Sequence, residues 1–335
     1  MPEKIILDYG SGGRASQRLI KEVFLRHFGN PGLNRLDDAA LISDLSGPLS
    51  MSTDTFTVDP VFFPGGDIGS LAVHGTVNDV AMLGAVPKYL SCAFILEEGL
   101  NMDDLDKIAA SMARAATEAG VFIVTGDTKV VPKGAVDKIF INTTGIGTVI
   151  AHPSPSGSRA VPGDAILVSG SMGDHGLAIL SHRQGISFDT NILSDSQPLN
   201  HLIIRLIREV GDIHVLRDPT RGGLATTLNE IAQQSNAELF IEQEKIPVKK
   251  EVEGGCSFLG LDPLYLANEG KFICILPEES AIKALEIMQG DPAGDGARII
   301  GHVRAERKGK VVLKTALGGH RLLDMLEGEQ LPRIC

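Results

Sequence analysis

Aspartates lie beside turn-forming or helix-starting residues at five places in this 335-residue chain. The five motifs are Asp37-Asp38-Ala39-Ala40, Ser52-Thr53-Asp54, Asn78-Asp79, Gly126-Asp127-Thr128-Lys129 and Asp218-Pro219-Thr220-Arg221-Gly222-Gly223. Carboxylate oxygens are the ligands that Mg²⁺ prefers, and protein-bound Mg²⁺ commonly bridges to substrate phosphates. Aspartates from several segments can therefore hold metal ions around a triphosphate. The pattern predicts a magnesium–phosphate site.

Glycine-rich segments can supply the hydrogen-bond donors that such a site also needs. Gly10-Ser11-Gly12-Gly13-Arg14 precedes a predicted helix, and Arg221-Gly222-Gly223 opens another. Backbone N–H groups at such positions bind phosphate together with the positive end of the helix dipole. The chain has no P-loop motif (GxxxxGK followed by Ser or Thr) and no GxGxxG after a strand, which argues against the common nucleotide-binding folds.

Each motif alone also has a purely structural interpretation. An Asp-Asp pair in a turn usually caps a turn or a helix, and Asp79 could form an ordinary salt bridge. Asp79 nevertheless lies inside an apolar predicted helix, residues 68–84, where an unpaired carboxylate would cost several kcal/mol. The occurrence of all five motifs in one chain favours the metal site.

One of the four cysteines is the last residue of the chain. Cys92, Cys256 and Cys274 are predicted to pack in the core, as free cysteines usually do. Cys335 ends a polar segment with Gly and Pro that has little to bury, so residues 327–335 are expected to form a flexible tail. A thiol on such a tail can reach partner proteins and its own active site, at an effective concentration of about a millimolar.

Composition and charge narrow the function classes. Hydrophobic residues make up 43% of the chain and charged residues 22%, which is enough apolar material for folded cores. The net charge of −11 argues against a nucleic-acid-binding protein and against binding to an anionic membrane surface. No apolar run reaches the roughly 18–20 residues that span a bilayer, and the N-terminus lacks the features of a secretion signal. A cytoplasmic location is expected.

Hydrophobic periodicity predicts two α/β domains joined by a Pro-, Ser- and Gly-rich linker at residues 151–163. Helices are predicted at 14–28, 68–84, 102–119, 175–184, 199–210, 223–235 and 278–289. Strands are predicted at 39–44, 49–57, 87–96, 121–125, 138–149, 165–169, 239–241, 271–276, 297–303 and 310–314. Because strands and helices do not alternate strictly, we predict an α+β fold with mixed or antiparallel sheets and helices on one face. The expected domains are residues 1–155 and 160–326.

In this order the motifs resemble those of the family that contains aminoimidazole ribonucleotide synthetase, selenophosphate synthetase, thiamine-phosphate kinase and the HypE hydrogenase maturation proteins. The terminal Leu331-Pro332-Arg333-Ile334-Cys335 is similar to the HypE tail in particular, and the resemblance covers essentially the whole chain. It implies a PurM-like fold in which the N-terminal domains of two chains pair into a shared β-barrel. It also implies that ATP and Mg²⁺ bind near the domain junction.

Matching the motifs one by one gives candidate site residues. The implied Mg²⁺ ligands are Asp38, Asp79 and Asp218. The candidate nucleotide-binding residues are Gly12, Gly13, Asp37, Asp54, Asp79, Gly126, Asp127, Thr128, Arg221 and Gly222. The implied catalytic residues are Cys335, Lys129 and Glu269. Lys129 would offset charge on the transferring phosphoryl group and Glu269 would take protons from nitrogen.

The resemblance implies a hydrogenase maturation enzyme. The carbamoyltransferase HypF would place a carbamoyl group on Cys335, and ATP would drive dehydration of that group to an S-cyanide. The HypC–HypD complex would then accept the cyanide for the iron of a nickel–iron hydrogenase.

Two alternatives remain open at the level of the sequence. A synthetase of selenophosphate, or of a purine or thiamine precursor, would share the fold and the use of ATP. Selenophosphate synthetases carry a reactive Cys or selenocysteine near the N-terminus, however, and no cysteine here precedes Cys92. The second alternative, of another class, is a non-catalytic maturation scaffold or carrier, which should not hydrolyse ATP in response to a carbamoylated tail.

Overall fold

The structure is a computed structural model that describes residues 3–11, 13–186, 192–328 and 333–335. Its helices are α1 (Gly13–Leu19), α2 (Leu25–Phe28), α3 (Ile68–Met82), α4 (Met102–Ala119), α5 (Asp174–Gln184), α6 (Asn200–Val210), α7 (Gly223–Ser235), α8 (Lys250–Leu259) and α9 (Glu278–Gln289). A π-helical segment, Ile20–Phe24, joins α1 to α2. Short 3-10 helices lie at Leu7–Gly10, Leu33–Arg35, Gly157–Arg159, Gln243–Lys245, Pro263–Tyr265 and Pro292–Gly294.

The strands form two large sheets and one short hairpin. They are β1 (Leu49–Phe56), β2 (Phe62–Phe63), β3 (Gly66–Asp67), β4 (Ala85–Glu97), β5 (Phe122–Val131), β6 (Ile139–Val149), β7 (Asp164–Val168), β8 (Val215–Arg217), β9 (Glu238–Glu242), β10 (Ile273–Pro277), β11 (Arg298–Arg304), β12 (Val311–Lys314) and β13 (His320–Leu322). The N-terminal sheet has the order β1-β6-β4-β5, and the C-terminal sheet has the order β13-β12-β9-β11-β7-β10-β8.

Helices cover one face of the N-terminal sheet. In β4, Leu90, Cys92 and Phe94 are buried in the N-terminal core, whereas Ala93 and Ile95 point to the opposite face and are partly exposed. This alternation follows from the period of two in a strand. β4 pairs in parallel with β5, and β6 pairs antiparallel with both β1 and β4. The sheet therefore has one apolar, covered face and one open face.

Helix α3 lies between the N-terminal sheet and the C-terminal domain, and it is buried almost all round. Asp67 caps its N-terminus by accepting hydrogen bonds from the backbone N–H groups of Gly69 and Ser70. Near its other end, Asn78 donates to the carbonyl oxygen of Gln197 in the C-terminal domain. Polar residues of α3 thus face the junction of the two domains.

Helices cover both faces of the C-terminal sheet. Ile166 and Val168 of β7 pack in one core with Leu228 of α7, whereas Ala165 and Leu167 pack in another core with residues of α6 and α9. The prediction that helices lie on one face is wrong for this sheet, because β7 is buried on both sides. The strand predicted at residues 39–44 is also wrong, since this segment has no regular secondary structure. Among the described residues, no helix is long and apolar enough to cross a membrane.

Candidate active site

Four carboxylates from different elements meet where the two domains face each other. Asp54 comes from β1, Asp79 from α3 and Asp218 from the residue after β8, while Glu269 precedes β10. Burial raises the pKa of Glu269 well above its ordinary value, and the charges of Asp218, Asp195, Asp54 and Asp79 raise that pKa further. The four side chains therefore share one partly buried, negatively charged environment.

Asp79 and Asp218 interact directly within this cluster. Burial and then the charge of Asp79 raise the pKa of Asp218 to about 7. Burial also raises the pKa of Asp79, whose Oδ2 accepts a hydrogen bond from Ser52 Oγ at 2.7 Å. A divalent cation would relieve the repulsion between two such carboxylates, and their oxygens are the hard ligands that Mg²⁺ takes. Asp79 and Asp218 therefore fit the metal that the sequence predicts for them.

The third predicted ligand, Asp38, is not brought to this pair. It is exposed in the irregular segment before β1. Among the residues that the structure describes, no three His, Cys, Asp or Glu side chains are placed to hold one ion. The carboxylate that neighbours Asp79 and Asp218 is instead Asp54, which the motif comparison assigned to the nucleotide. A metal-binding role for Asp38 stays a prediction.

The last residue of the chain lies at the same cluster. The carbonyl oxygen of Cys335 accepts hydrogen bonds from the backbone N–H of Thr57 at 3.0 Å and from its Oγ1 at 3.2 Å. Burial raises the pKa of the Cys335 thiol to about 12, with the charge of Glu269 as the next cause and Arg221 opposing the rise. Arg221 Nη2 also lies 3.8 Å from Asp54 Oδ1. The terminal sulfur is thus held among the predicted catalytic and nucleotide-binding side chains.

The two residues before Cys335 anchor the end of the tail. Ile334 is 5% exposed and packs in the N-terminal core. The carbonyl oxygen of Arg333 accepts a hydrogen bond from Arg183 Nη2 at 2.6 Å. The expectation that the tail has little to bury is therefore wrong for Ile334, since burying such a side chain is worth about 1.5–3 kcal/mol. Residues 329–332 lie outside the described residues, and movement of the tail stays a prediction.

A second group of predicted residues lines a cleft of about 570 Å³ at the other edge of the N-terminal sheet. The residues of this group are Asp37, Gly126, Asp127, Thr128 and Lys129. Lys129 Nζ lies 3.2 Å from Asp127 Oδ2, and both side chains are 64% exposed. The other carboxylate oxygen of Asp127 accepts a hydrogen bond from the backbone N–H of Thr128 at 2.8 Å. A side chain at Gly126 would not fit, because its Cβ would lie 2.2 Å from the carbonyl oxygen of Cys92.

The width of the sheet separates these two groups. Asp54 on β1 pairs with Thr143 on β6, Thr143 pairs with Cys92 on β4, and Cys92 pairs with Gly126 on β5. Neighbouring strands lie about 4.8 Å apart, so three pairings separate the two edges by roughly 14 Å. Within one chain, the structure does not bring the predicted catalytic lysine to the terminal cysteine.

The predicted glycine positions lie at separate places. Gly222 precedes α7 with a φ of +76°, a backbone conformation that favours glycine. It lines a cleft of about 380 Å³ together with Arg221 and Cys335. Gly13 begins α1 and is exposed. Gly12 lies outside the described residues.

Sequence reasoning missed the residues that contact the predicted catalytic groups and hold them in place. Asp195 Oδ1 accepts a hydrogen bond from the backbone N–H of Glu269 at 3.0 Å, and His175 Nε2 lies 2.8 Å from the carbonyl oxygen of Ile334. No local pattern marks either residue, because each acts on a partner far away in the chain. His175 and Ile334, for example, are 159 positions apart.

Comparison with known proteins places the chain in a family. The family model described as the N-terminal domain of AIR synthase related proteins matches residues 36–149, and the corresponding C-terminal domain matches residues 161–314. The carbamoyl dehydratase HypE of Azotobacter vinelandii is 54% identical over 327 residues, which cover 98% of this chain and 96% of that protein. The chain belongs to the HypE family.

Solved HypE structures share the fold of this chain. A crystal structure of HypE in complex with ATP has a TM-score of 0.96 and 67% identity, covering 98% of this chain and 99% of that chain. The structure of a HypE–HypF complex matches with a TM-score of 0.81 and 51% identity, covering 92% of this chain and 99% of the other. These matches confirm the predicted family and the predicted α+β, PurM-like fold. Pairing of two N-terminal domains into a β-barrel stays a prediction.

Proposed function

We propose that this chain is a carbamoyl dehydratase that uses ATP to dehydrate a carbamoyl group carried by its own Cys335. The observation that carries the proposal is the position of the terminal sulfur, which lies beside Glu269 and Arg221 at a cluster of partly buried carboxylates. The product is an S-cyanide, which supplies the cyanide ligands of nickel–iron hydrogenase. The activity for which the Azotobacter vinelandii relative is named confirms the predicted enzyme class.

The proposed reaction combines one phosphoryl transfer with one elimination. The oxygen of the S-carbamoyl group attacks the γ-phosphorus of ATP, ADP leaves, and loss of one of the two nitrogen protons gives an imidate-like phosphate ester. The C–O bond then breaks as phosphate departs, and removal of the remaining nitrogen proton completes the carbon–nitrogen triple bond. In sum, the S-carbamoyl cysteine and ATP give the S-cyano cysteine, ADP and phosphate.

Glu269 is placed to accept a proton from the nitrogen of the carbamoyl group. Its raised pKa makes its carboxylate a stronger base than that of an ordinary glutamate. Its Oε1 is buried and has no hydrogen-bond partner among the described residues, so it can accept from a substrate N–H. The hydrogen bond from the Glu269 backbone to Asp195 fixes the position of this side chain.

We infer that Asp79 and Asp218 hold Mg²⁺ and that the ATP phosphates lie next to this pair. Bound Mg²⁺ would offset the negative charge of the triphosphate. The hydrogen bond from Ser52 fixes the orientation of Asp79. Gly222 lines the cleft and immediately precedes helix α7. The positive end of the α7 dipole therefore faces the proposed phosphate position.

Two chains are proposed to pair through their N-terminal sheets. The open face of the sheet carries Met51, Ile95 and Phe122, which are 70%, 38% and 51% exposed, as expected of a surface that another copy covers. The N-terminal sheet also has two edges, β1 and β5. If β5 of one copy meets β1 of the other, Lys129 of the first copy comes close to Asp54 of the second. The dimer would then supply the lysine that a single chain holds at the far edge.

Mass spectrometry of the C-terminal peptide tests the reaction. After incubation with HypF and its carbamoyl donor, the peptide should gain one carbamoyl group. After addition of ATP and Mg²⁺, it should lose one water. A control without ATP should keep the carbamoyl group unchanged. A peptide that retains its water when ATP and Mg²⁺ are present would refute the proposed function.

A mixture of two inactive variants tests the shared site. Lys129→Ala retains Cys335, and Cys335→Ala retains Lys129, so a mixed dimer has one complete site if the lysine acts across the dimer. In a dimer that exchanges freely, an equimolar mixture should recover about a quarter of the wild-type S-cyanide. If the lysine acts within its own chain, the mixture will stay inactive.

The proposed partners follow from the relatives and from the reaction. HypF is the inferred carbamoyl donor, since a relative forms a complex with HypF. The HypC–HypD complex is the inferred cyanide acceptor, and the cytoplasmic location stays a prediction. A selenophosphate, purine-precursor or thiamine-precursor synthetase would leave the docked Cys335 without a role, and a scaffold would leave Glu269 without one.

A further inference from the structure

His175 contacts both the tail and residues Ser194–Gln197, the linking segment. The His175 ring lies in the first turn of α5 and is fully buried. Its Nε2 lies 2.8 Å from the carbonyl oxygen of Ile334, and its Nδ1 lies 2.7 Å from Ser194 Oγ. A carbonyl oxygen can only accept, so Nε2 carries the hydrogen and donates it to Ile334. In the neutral ring, Nδ1 then accepts from the Ser194 hydroxyl.

The hydrogen bonds continue along the linking segment. Ser194 Oγ also accepts from the backbone N–H of Ser196 at 3.1 Å. Each group thus donates a hydrogen bond to the next: the Ser196 N–H to Ser194, the Ser194 hydroxyl to His175, and His175 to the tail. Connected hydrogen bonds of this kind polarise one another and favour a single arrangement of their members.

The linking segment also holds the turn that carries Glu269. Asp195 Oδ1 accepts from the backbone N–H of Glu269 at 3.0 Å, and Gln197 Nε2 donates to the carbonyl oxygen of Gly270 at 2.9 Å. The segment and the turn are in such close contact that a Cβ at Gly270 would lie 1.8 Å from the carbonyl oxygen of Asp195. A shift of the linking segment would therefore move Glu269.

We propose that His175 is a positioning residue that couples docking of the tail to the placement of Glu269. This proposal rests on the proposed function, since it gives Glu269 and Cys335 their roles in dehydration. The coupling works through the backbone carbonyl of Ile334, which His175 contacts directly, while Ser194 connects His175 to the linking segment. Docking of Cys335 and alignment of Glu269 are then parts of one arrangement.

His74 provides a matched control. Its ring is also buried, and its Nδ1 lies 3.0 Å from Ser196 Oγ in the same linking segment. Its Nε2, however, has no hydrogen-bond partner among the described residues. A substitution at His74 therefore disturbs a buried histidine and the linking segment without removing a hydrogen bond to the tail.

Thiol labelling tests the docking half of the proposal without HypF or ATP. Cys92, Cys256 and Cys274 are buried, so a thiol reagent added to the native protein reports on Cys335. His175→Leu removes the donor to Ile334, and we expect it to raise the labelling rate of Cys335 roughly five- to tenfold. His175→Gln retains an N–H donor and should restore slow labelling. His74→Leu should label at the wild-type rate.

Single-turnover dehydration of the carbamoylated protein tests the coupling half. His175→Leu and Ser194→Ala should lower the dehydration rate while leaving the KM for ATP unchanged. If His175→Leu does not fold, Ser194→Ala is used instead for both the labelling rate of Cys335 and the dehydration rate. Unchanged labelling in the His175→Leu variant, or equal effects of His74→Leu and His175→Leu, would overturn the coupling. A wild-type protein that never loses water would instead refute the proposed function while the labelling result still reports docking.

Discussion

The two edges of the N-terminal sheet carry predicted catalytic residues in opposite environments. At the β1 edge, Asp54 and Glu269 lie with the terminal thiol in a partly buried cluster, and burial raises the pKa of all three groups. At the β5 edge, Lys129 and Asp127 form an ion pair in which both side chains are 64% exposed. Exposed ion pairs contribute only about 0–1 kcal/mol, so this pair can separate readily.

The difference shows which part of the site one chain completes alone. The β1 edge already brings together the proposed base, the terminal sulfur and the pair of aspartates proposed to bind Mg²⁺. The β5 edge instead presents a cation that is free to take another partner, such as a phosphate or the active site of a second copy. Substitutions at the two edges should therefore affect stability and catalysis in different ways.

The largest effect is expected at the terminal cysteine. Cys335→Ala removes the atom that carries the substrate, so S-cyanide formation should stop completely. The melting temperature should change little, because Ile334 remains packed and the Thr57 hydrogen bonds reach the backbone of residue 335. Calorimetry and peptide mass spectrometry check both outcomes. Cys256→Ala is the control and should still form S-cyanide; a large fall in the melting temperature of Cys335→Ala would contradict the docking described above.

At Glu269, catalysis and stability should change in opposite directions. Glu269→Gln removes the base and should slow dehydration by about 10²–10⁴-fold. A buried acid with a raised pKa destabilises the fold when it is ionised, so the same variant should raise the melting temperature at neutral pH. Glu253→Gln on the exposed side of α8 should change neither quantity. A Glu269→Gln variant with wild-type turnover would show that another group takes the proton.

At the other edge, catalysis should fall without a change in stability. Lys129→Ala should slow phosphoryl transfer by roughly 10²–10³-fold, because it removes a positive charge that stabilises the transition state. Its melting temperature should equal that of the wild type, since the side chain is 64% exposed. Single-turnover rates, measured with saturating ATP, check the prediction. Lys133→Ala in the nearby turn is the control, and an equal loss in both variants would point to a general charge effect.

The smallest expected effect is a pH-dependent change in stability at the Asp79–Asp218 pair. The pKa of Asp218 rises from 3.8 to about 7, so the folded chain keeps a proton that the unfolded chain loses between about pH 4 and pH 7. The free energy of unfolding should therefore fall over that range and level off above it. Mg²⁺ should raise the melting temperature more at pH 8 than at pH 5.5.

Asp218→Asn should weaken this dependence on pH and on Mg²⁺. Asp103→Asn, on the exposed start of α4, is the control and should behave like the wild type. The same Mg²⁺ effect in both variants would place the ion elsewhere.

The parts of the site that the sequence predicts are those with a local signal. Asp54, Asp79 and Asp218 stand out because a carboxylate beside a strand end or within an apolar helix is unusual. Their convergence is found in the structure, where the three side chains interact electrostatically. The residues that support them gave no such signal, because Asp195 and His175 act through contacts made only after folding.

Strand order explains why the predicted site divides into two regions. Motif matching assigns both Asp54 and Asp127 to the nucleotide, but β6 and β4 lie between β1 and β5 in the sheet. Such non-sequential order cannot be read from periodicity, which reports only which face of a strand is apolar. The helices on both faces of the C-terminal sheet were missed for a related reason, since fully buried strands such as β7 show no alternation.

The high pKa of the docked thiol bears on how the cysteine survives in the cell. Oxidants and electrophiles react with thiolates, and a thiol with a pKa of about 12 is almost entirely protonated at neutral pH. While docked, unmodified Cys335 therefore resists conversion to sulfenic acid or to a mixed disulfide. If the tail moves as predicted, undocking exposes the sulfur, and chemical damage is then confined to the intervals in which the tail can also meet a partner.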